Sequence, residues 1–248
     1  MALQQINSRL SIENTPGDGN KINDRDSVVH KSVRKQPSQS RDHSMPASDL
    51  PVLVIATRNP GKAREFQQLL QDLPFRVMSL DDVGVDIEVE ETGGTFAENA
   101  SLKAEQYHAA SGQLTLADDS GIEVDALDGA PGVYSARYFR PGQTDEEGRN
   151  HLLAQLVDVP GWKRQARYRA VIAIVGSQNR SGPQLFVGSC EGAIAHGPIG
   201  GGGFGYDPIF WLAAERRTMA ELSAQEKDAI SHRGIAARKA AQYLQTIA

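Results

Sequence analysis

The stretch that most limits what this chain can fold into is "VLVIATRNPGKAREFQQLLQDLP", residues 52–74. It begins with a short β-branched apolar run, which suits a buried strand. A Asn-Pro-Gly turn follows, and then Ala63, Phe66, Leu69, Leu70 and Leu73 recur at helical spacing, with Pro74 as a stop. A buried strand feeding directly into an amphipathic helix is the opening of an α/β layer structure.

The pattern continues along the chain. "RVMSL" reads as a second strand. "TFAENASLKAEQYHAASG" reads as a helix with Thr95 as N-cap, Glu98 in the capping-box position and Gly112 at its end. "QLTLADD" is the next strand, and "TDEEGRNHLLAQLVDV" a helix with an acidic start. "ARYRAVIAIVGS" and "QLFVGSCEGAIA" read as neighbouring strands around a "QNRSGP" turn, and "AISHRGIAARKAAQYLQTI" as a helix capped by Ser231. Strand–helix alternation followed by strand pairs predicts an α/β fold with a mixed sheet.

Residues 1–48 break this order. They are rich in Ser, Asn, Asp, Lys, Gly and Pro, with almost no apolar periodicity, and are expected to be a disordered extension to a domain spanning 49–248. Met45 is an alternative start. The extension carries 7 Lys/Arg against 5 Asp/Glu, and the remainder 19 against 26. A mildly acidic body argues against general nucleic-acid binding. No apolar run reaches membrane-spanning length, and a single Cys190 allows no internal disulfide, which suits a reducing cytosol.

Five stretches could carry chemistry. "TRNPGK", Thr57 to Lys62, joins a strand to a helix; helix N-terminal amides and a lysine make an anion site, although the spacing is not that of a P-loop. Glu88, Glu90 and Glu91 crowd before a Gly-Gly turn, as a solvated acidic loop or as ligands for a hard cation, with Lys103 on the following helix. "GGGGFGYDPIF" combines four glycines with Phe204, Tyr206 and Asp207, as a flexible hairpin or as a close approach to a flat ligand. Lys227, His232 and Arg233 form a basic cluster at a helix start, as phosphate or carbonyl donors or as an exposed cap. A fifth stretch, "ADDSG", sets Asp118 beside Asp119 at the expected tip of a strand. It reads either as a turn or as a metal or phosphate site.

Taken together, "ATRNPGK", "EETGGTFAENASLKA", "ADDSGIEVDALDGAPGVYSARY", "GGFGYDPIF" and "EKDAISHRG" resemble the inosine-triphosphate pyrophosphatase family, over some four-fifths of the chain. The resemblance implies an elongated two-lobed α/β fold with a central nucleotide cleft, a homodimer, and Mg2+-dependent hydrolysis of ITP, dITP or XTP to the monophosphate and pyrophosphate. It implies that Thr57, Arg58, Asn59, Pro60, Gly61 and Lys62 hold the triphosphate. Glu90 and Asp119 would hold Mg2+, with Asp119 also the proton acceptor and Asp118 its support. Ser120 and Lys103 would touch phosphate or sugar. Phe204, Gly205, Tyr206, Asp207, Lys227, His232 and Arg233 would surround the base and its nearby phosphate. Arg58 departs from the glycine that many relatives carry. A pyrimidine-directed enzyme of similar fold and a non-catalytic nucleotide-binding module are the competing readings.

Overall fold

The computed structural model describes residues 49–177 and 182–248. The expected disorder of residues 1–48, and Gln178–Ser181 of the "QNRSGP" turn, lie outside the described residues.

A seven-stranded mixed sheet forms the frame, in the order β2-β1-β3-β4-β5-β6-β7. β1 (Val52–Ala56) lies parallel to both β2 (Arg76–Ser79) and β3 (Leu114–Val124). From β3 onward every pairing is antiparallel, through β4 (Gln165–Val175), β5 (Gln184–Ile194), β6 (Phe210–Leu212) and β7 (Arg217–Thr218). The parallel pairs follow from crossover connections that carry helices. Residues 125–164, which include an α-helix, instead return the chain antiparallel from β3 to β4, and residues 195–209 join β5 to β6.

Side chains alternate across the sheet, so each face of β1 feeds a different core. Leu53 and Ile55 pack with Phe66 and Leu70 of α1 (Pro60–Leu69) and with Ala236, Ala240 and Leu244 of α5 (His232–Gln245). Val54 and Ala56 pack on the other face with Phe96, Ala100, Ala104 and Tyr107 of α2 (Phe96–Ser111). A third cluster joins Ile122, Tyr168 and Phe210 to Leu152 and Leu156, beside α3 (Asp145–Gln155).

The predicted caps form. Thr95 and Glu98 make a complete capping box at the start of α2, and Gly112 ends it in the left-handed conformation. A capping box not read from the sequence, Thr144 with Glu147, starts α3. The single C-terminal helix expected from the sequence is preceded by a separate short one, α4 (Ala224–Ile230), with its own Ser223–Glu226 capping box. Ser231 lies at the junction and accepts from the Gly234 amide to cap α5.

"DDSG" is not a turn. β3 runs unbroken through Asp118, Asp119, Ser120 and Gly121, paired with β4 opposite Ile172, Val171, Ala170 and Arg169. β1 stops pairing at Ala117, one residue before the two aspartates. β3 therefore continues past the end of its parallel neighbour, and a cleft opens at the carboxyl end of β1. That is where open α/β sheets place their ligands.

Candidate active site

The cleft has a volume of about 900 Å3, within the range of small-molecule sites. Of the residues singled out from the sequence, Thr57, Arg58, Asn59, Lys62, Glu90, Lys103, Asp119, Ser120, Phe204, Gly205, Tyr206, Asp207, His232 and Arg233 line it. Pro60, Gly61 and Lys227 do not; Pro60 is exposed, and Gly61 and Lys227 are buried.

At one end is the turn from β1 into α1. Asn59 is the N-cap, and its Oδ1 accepts from the amides of Gly61 (2.9 Å) and Lys62 (3.1 Å). Thr57 Oγ1 accepts from the Asn59 amide. The amides expected to cradle an anion are thus already satisfied by the turn's own side chains. What the turn offers the cleft is the Asn59 side-chain nitrogen Nδ2, the Thr57 hydroxyl and Lys62. Arg58 turns away from the turn, to Asp81 Oδ1 (2.5 Å) and the Val85 carbonyl (2.7 Å).

In the middle are the carboxylates. Lys62 Nζ pairs with Asp118 Oδ2 at 2.7 Å, and Ser120 Oγ donates to the same oxygen at 3.0 Å. Burial alone would raise the Asp118 carboxyl, but Lys62 and Arg233 outweigh it and hold it below its ordinary value. Asp119 meets Lys103 at a longer 3.5 Å. Burial raises the Asp119 carboxyl, only partly countered by Lys103 and Lys62. Lys103 is itself buried and shared with Glu91, at 2.5 Å. Burial would lower its ammonium, but Asp119 and Glu91 together raise it, so it stays charged.

Two oxygens here are buried without a donor: Asp118 Oδ1 and Asp119 Oδ2. Glu90 is exposed at the cleft wall and makes no ion pair among the described residues. Its neighbour Glu91 is taken by Lys103 and by Arg137, whose guanidinium donates at 3.0 Å. No group of three or more His, Cys, Asp or Glu arranged for a metal occurs among the described residues. A hard divalent cation that takes one or two protein carboxylates, and fills its shell from phosphate and water, fits Glu90 and the unpaired Asp119 Oδ2.

Beside the turn is an aromatic shelf, its Phe204 ring lying against Gly61. Lys227 Nζ and the Arg233 guanidinium each lie 4.8 Å from the centroid of the Phe204 ring. Asp207 organises the loop: it accepts from the Phe204 amide (2.9 Å), Lys227 (2.6 Å) and the Tyr168 hydroxyl (3.1 Å). Gly203 explains one of the consecutive glycines. Its φ is +68°, and a Cβ there would stand 2.1 Å from Asp207 Oδ2. Gly61 explains a second close approach, since a Cβ would meet the Phe204 ring at 2.7 Å.

His232 stacks on Tyr168, with centroids 4.5 Å apart and planes 6° from parallel. Arg233 donates to His232 Nε2 at 3.1 Å, which leaves the proton of the neutral ring on Nδ1. Nδ1 is buried with no partner, so it is a donor waiting for an acceptor. Burial, with Arg233, Lys227 and Lys62 nearby, pushes the imidazole well below its ordinary value and keeps it neutral.

Three residues that sequence reasoning passed over belong here. Glu65 lies one helical turn beyond Lys62 and accepts from Lys227 (2.7 Å) and from Arg233 Nε. Its spacing from Lys62 was the available signal. Arg137 and Tyr168 are the others, each brought in by tertiary contact with no local spacing to mark it.

The fold and the cleft define a class: a mixed α/β sheet with a nucleotide-sized cleft that is lined by carboxylates and lysines and carries an aromatic shelf with two cations against its ring. Within that class the chain belongs to the Ham1 family, whose family model matches residues 53–243. It is 48% identical over 182 residues to the dITP/XTP pyrophosphatase of Yersinia pseudotuberculosis, covering 73% of this chain and 92% of that one. To the dITP/XTP pyrophosphatase of Bacillus cereus it is 46% identical over 187 residues, covering 75% and 91%. Among solved structures, a HAM1 protein from Coxiella burnetii superposes with a TM-score of 0.72 at 41% identity, over 79% of this chain and all of that one.

Proposed function

We propose that this chain hydrolyses nucleoside triphosphates of deaminated purines, dITP, ITP and XTP, to the monophosphate and pyrophosphate, with Mg2+ as cofactor. The relatives named dITP/XTP pyrophosphatase support the reaction and the substrate class. The observation that supports the reading in this chain is the unpaired, buried Asp119 Oδ2, on a carboxylate that lines the cleft and meets Lys103.

Water attacks the α-phosphorus, the bond to the bridging oxygen breaks, and pyrophosphate departs with that oxygen. Asp119 orients the water and takes its proton; the upward shift of its carboxyl moves it toward a useful base. Glu90 and Asp119 would hold Mg2+, which supplies neutralisation of the phosphate charge. Lys62, Lys103 and the Asn59 and Thr57 side chains bind the polyphosphate. Phe204 stacks on the base. The Nδ1–H of His232 is a donor near the shelf, and favours the exocyclic 6-oxo group over the amine of adenine.

The resemblance extends the proposal to a homodimer working in the cytoplasm. Among the described residues no helix is long and apolar enough to cross a membrane. The deciding assay measures pyrophosphate released from ITP, dITP, XTP, GTP, ATP and dTTP, with Mg2+ and with chelator. Release from the first three alone, abolished by chelator, is the expected result. Equal release from dTTP, or none from any, overturns the reading.

A further inference from the structure

We infer that Arg58 is a positioning residue: its guanidinium pins the acidic segment 81–91 against the phosphate turn, and so sets where the unpaired carboxylates of the cleft stand. The inference rests on the proposed role of those carboxylates, but its first test does not.

Segment 81–91 connects β2 toward α2 and carries six acids in eleven residues: Asp81, Asp82, Asp86, Glu88, Glu90 and Glu91. Such a run repels itself and needs cations to keep one path. It has them at both ends. At the far end Lys103 and Arg137 hold Glu91. At the near end Arg58 does the work with both heads of its fork. One nitrogen donates to Asp81 Oδ1 at 2.5 Å, the other to the Val85 carbonyl at 2.7 Å, and Asp86 lies 3.8 Å away. Between the two pins stand Glu88 and Glu90, both at the cleft wall and neither ion-paired among the described residues.

The apolar side of the segment is anchored separately, by buried Leu80, Val85 and Val89 in the core beneath α2. Losing Arg58 therefore leaves the fold standing and frees only the polar upper edge. Lysine cannot replace it fully, because a single ammonium cannot reproduce two divergent donors. An isolated surface ion pair contributes little. Here the second bond goes to a backbone carbonyl, which fixes the course of the chain whatever side chain stands at 85.

Amide hydrogen exchange on the metal-free, nucleotide-free protein tests the tether directly. The Gly84 and Val85 amides report it, since they donate to the Asp81 and Leu80 carbonyls. In Arg58→Ala these amides should exchange about five-fold faster or more, as expected for losing one or two hydrogen bonds. Arg58→Lys and Asp81→Asn should fall between that and the unchanged protein, and the Arg58→Ala, Asp81→Asn double variant should be no worse than Arg58→Ala. In a second arm, the Mg2+ concentration giving half-maximal ITP hydrolysis should rise several-fold in the same order. Unchanged exchange overturns the inference. So does faster exchange with an unchanged Mg2+ requirement, which would make the tether structural only. A raised KM for ITP at saturating Mg2+, with exchange unchanged, would make Arg58 a phosphate ligand instead. If the unaltered protein releases no pyrophosphate, the functional reading fails while the exchange arm still judges the tether.

Discussion

Asp118 and Asp119 are neighbours in the chain but face opposite sides of β3. Asp118 is held by Lys62 of α1, and Asp119 by Lys103 of α2. The like-charge problem posed by their sequence is solved by the pleat: consecutive residues of a strand point apart, and each carboxylate finds a lysine on the helix covering its own face.

Different outcomes follow for the two. Asp119→Asn should lower turnover by about 10^3-fold, the scale of losing a general base, with the protein still folded. Asp118→Asn should instead strip Lys62 of its buried partner and cost about 3 kcal/mol of stability or more. Denaturant titration and steady-state kinetics on both variants check this. Near-normal turnover in Asp119→Asn would remove it from the chemistry.

Phe204→Leu keeps an apolar side chain but loses the flat face. Stacking of a base on an aromatic ring is worth about 1–3 kcal/mol, so KM for ITP should rise roughly five- to a hundred-fold with kcat little altered. A comparable fall in kcat with KM unchanged would place the base elsewhere.

Glu65→Gln should act on selectivity. Glu65 is the shared acceptor of Lys227 and Arg233, the two cations flanking Phe204. Burial would raise its carboxyl, but Arg233 and Lys227 hold it below the ordinary value. With the charge gone Lys227 keeps Asp207 while Arg233 loses its carboxylate partner and can shift, and the ratio of kcat/KM for ITP to that for GTP should fall. An unchanged ratio would confine Glu65 to a role in stability.

Stability should decline as the solution is acidified, in two stages. His232 is depressed well below its ordinary 6.5, so the unfolded chain takes up a proton below that pH while the folded one does not. Stability is then lost at up to about 1.4 kcal/mol per pH unit. Glu65, Asp118 and Glu91 are also lowered, and add a second loss below the ordinary carboxylate values. Asp119 is raised and works the other way, gaining stability as the pH falls. Urea titrations from pH 8 to pH 3 should show the first stage vanish in His232→Gln. If it persists there, another group is responsible.

Much of this was readable before any coordinates. The strand–helix opening at β1 and α1, the box at Thr95 and the Ser231 cap are local features, written in spacing and cap chemistry. Most of the residues proposed for the cleft line it. What stayed hidden was long-range. "DDSG" carries turn residues, yet ten consecutive pairings with β4 hold β3 straight. Asn59 reads as a turn residue, and only its cap geometry shows that it consumes the amides a ligand would want. Glu65 and Arg137 look like surface charges until α4, α5 and the acidic segment are brought against them.

Helix α1 has a further consequence. Gly61 touches the Phe204 ring, Lys62 reaches the carboxylate floor, and Glu65 holds the cations beneath the shelf, all within one and a half turns. On the proposed reading, the grip on the phosphates and the grip on the base would be graduations on a single stiff rod. A base that tipped the shelf would tilt the lysine with it, and selectivity would then be exercised as misalignment after binding as well as refusal to bind.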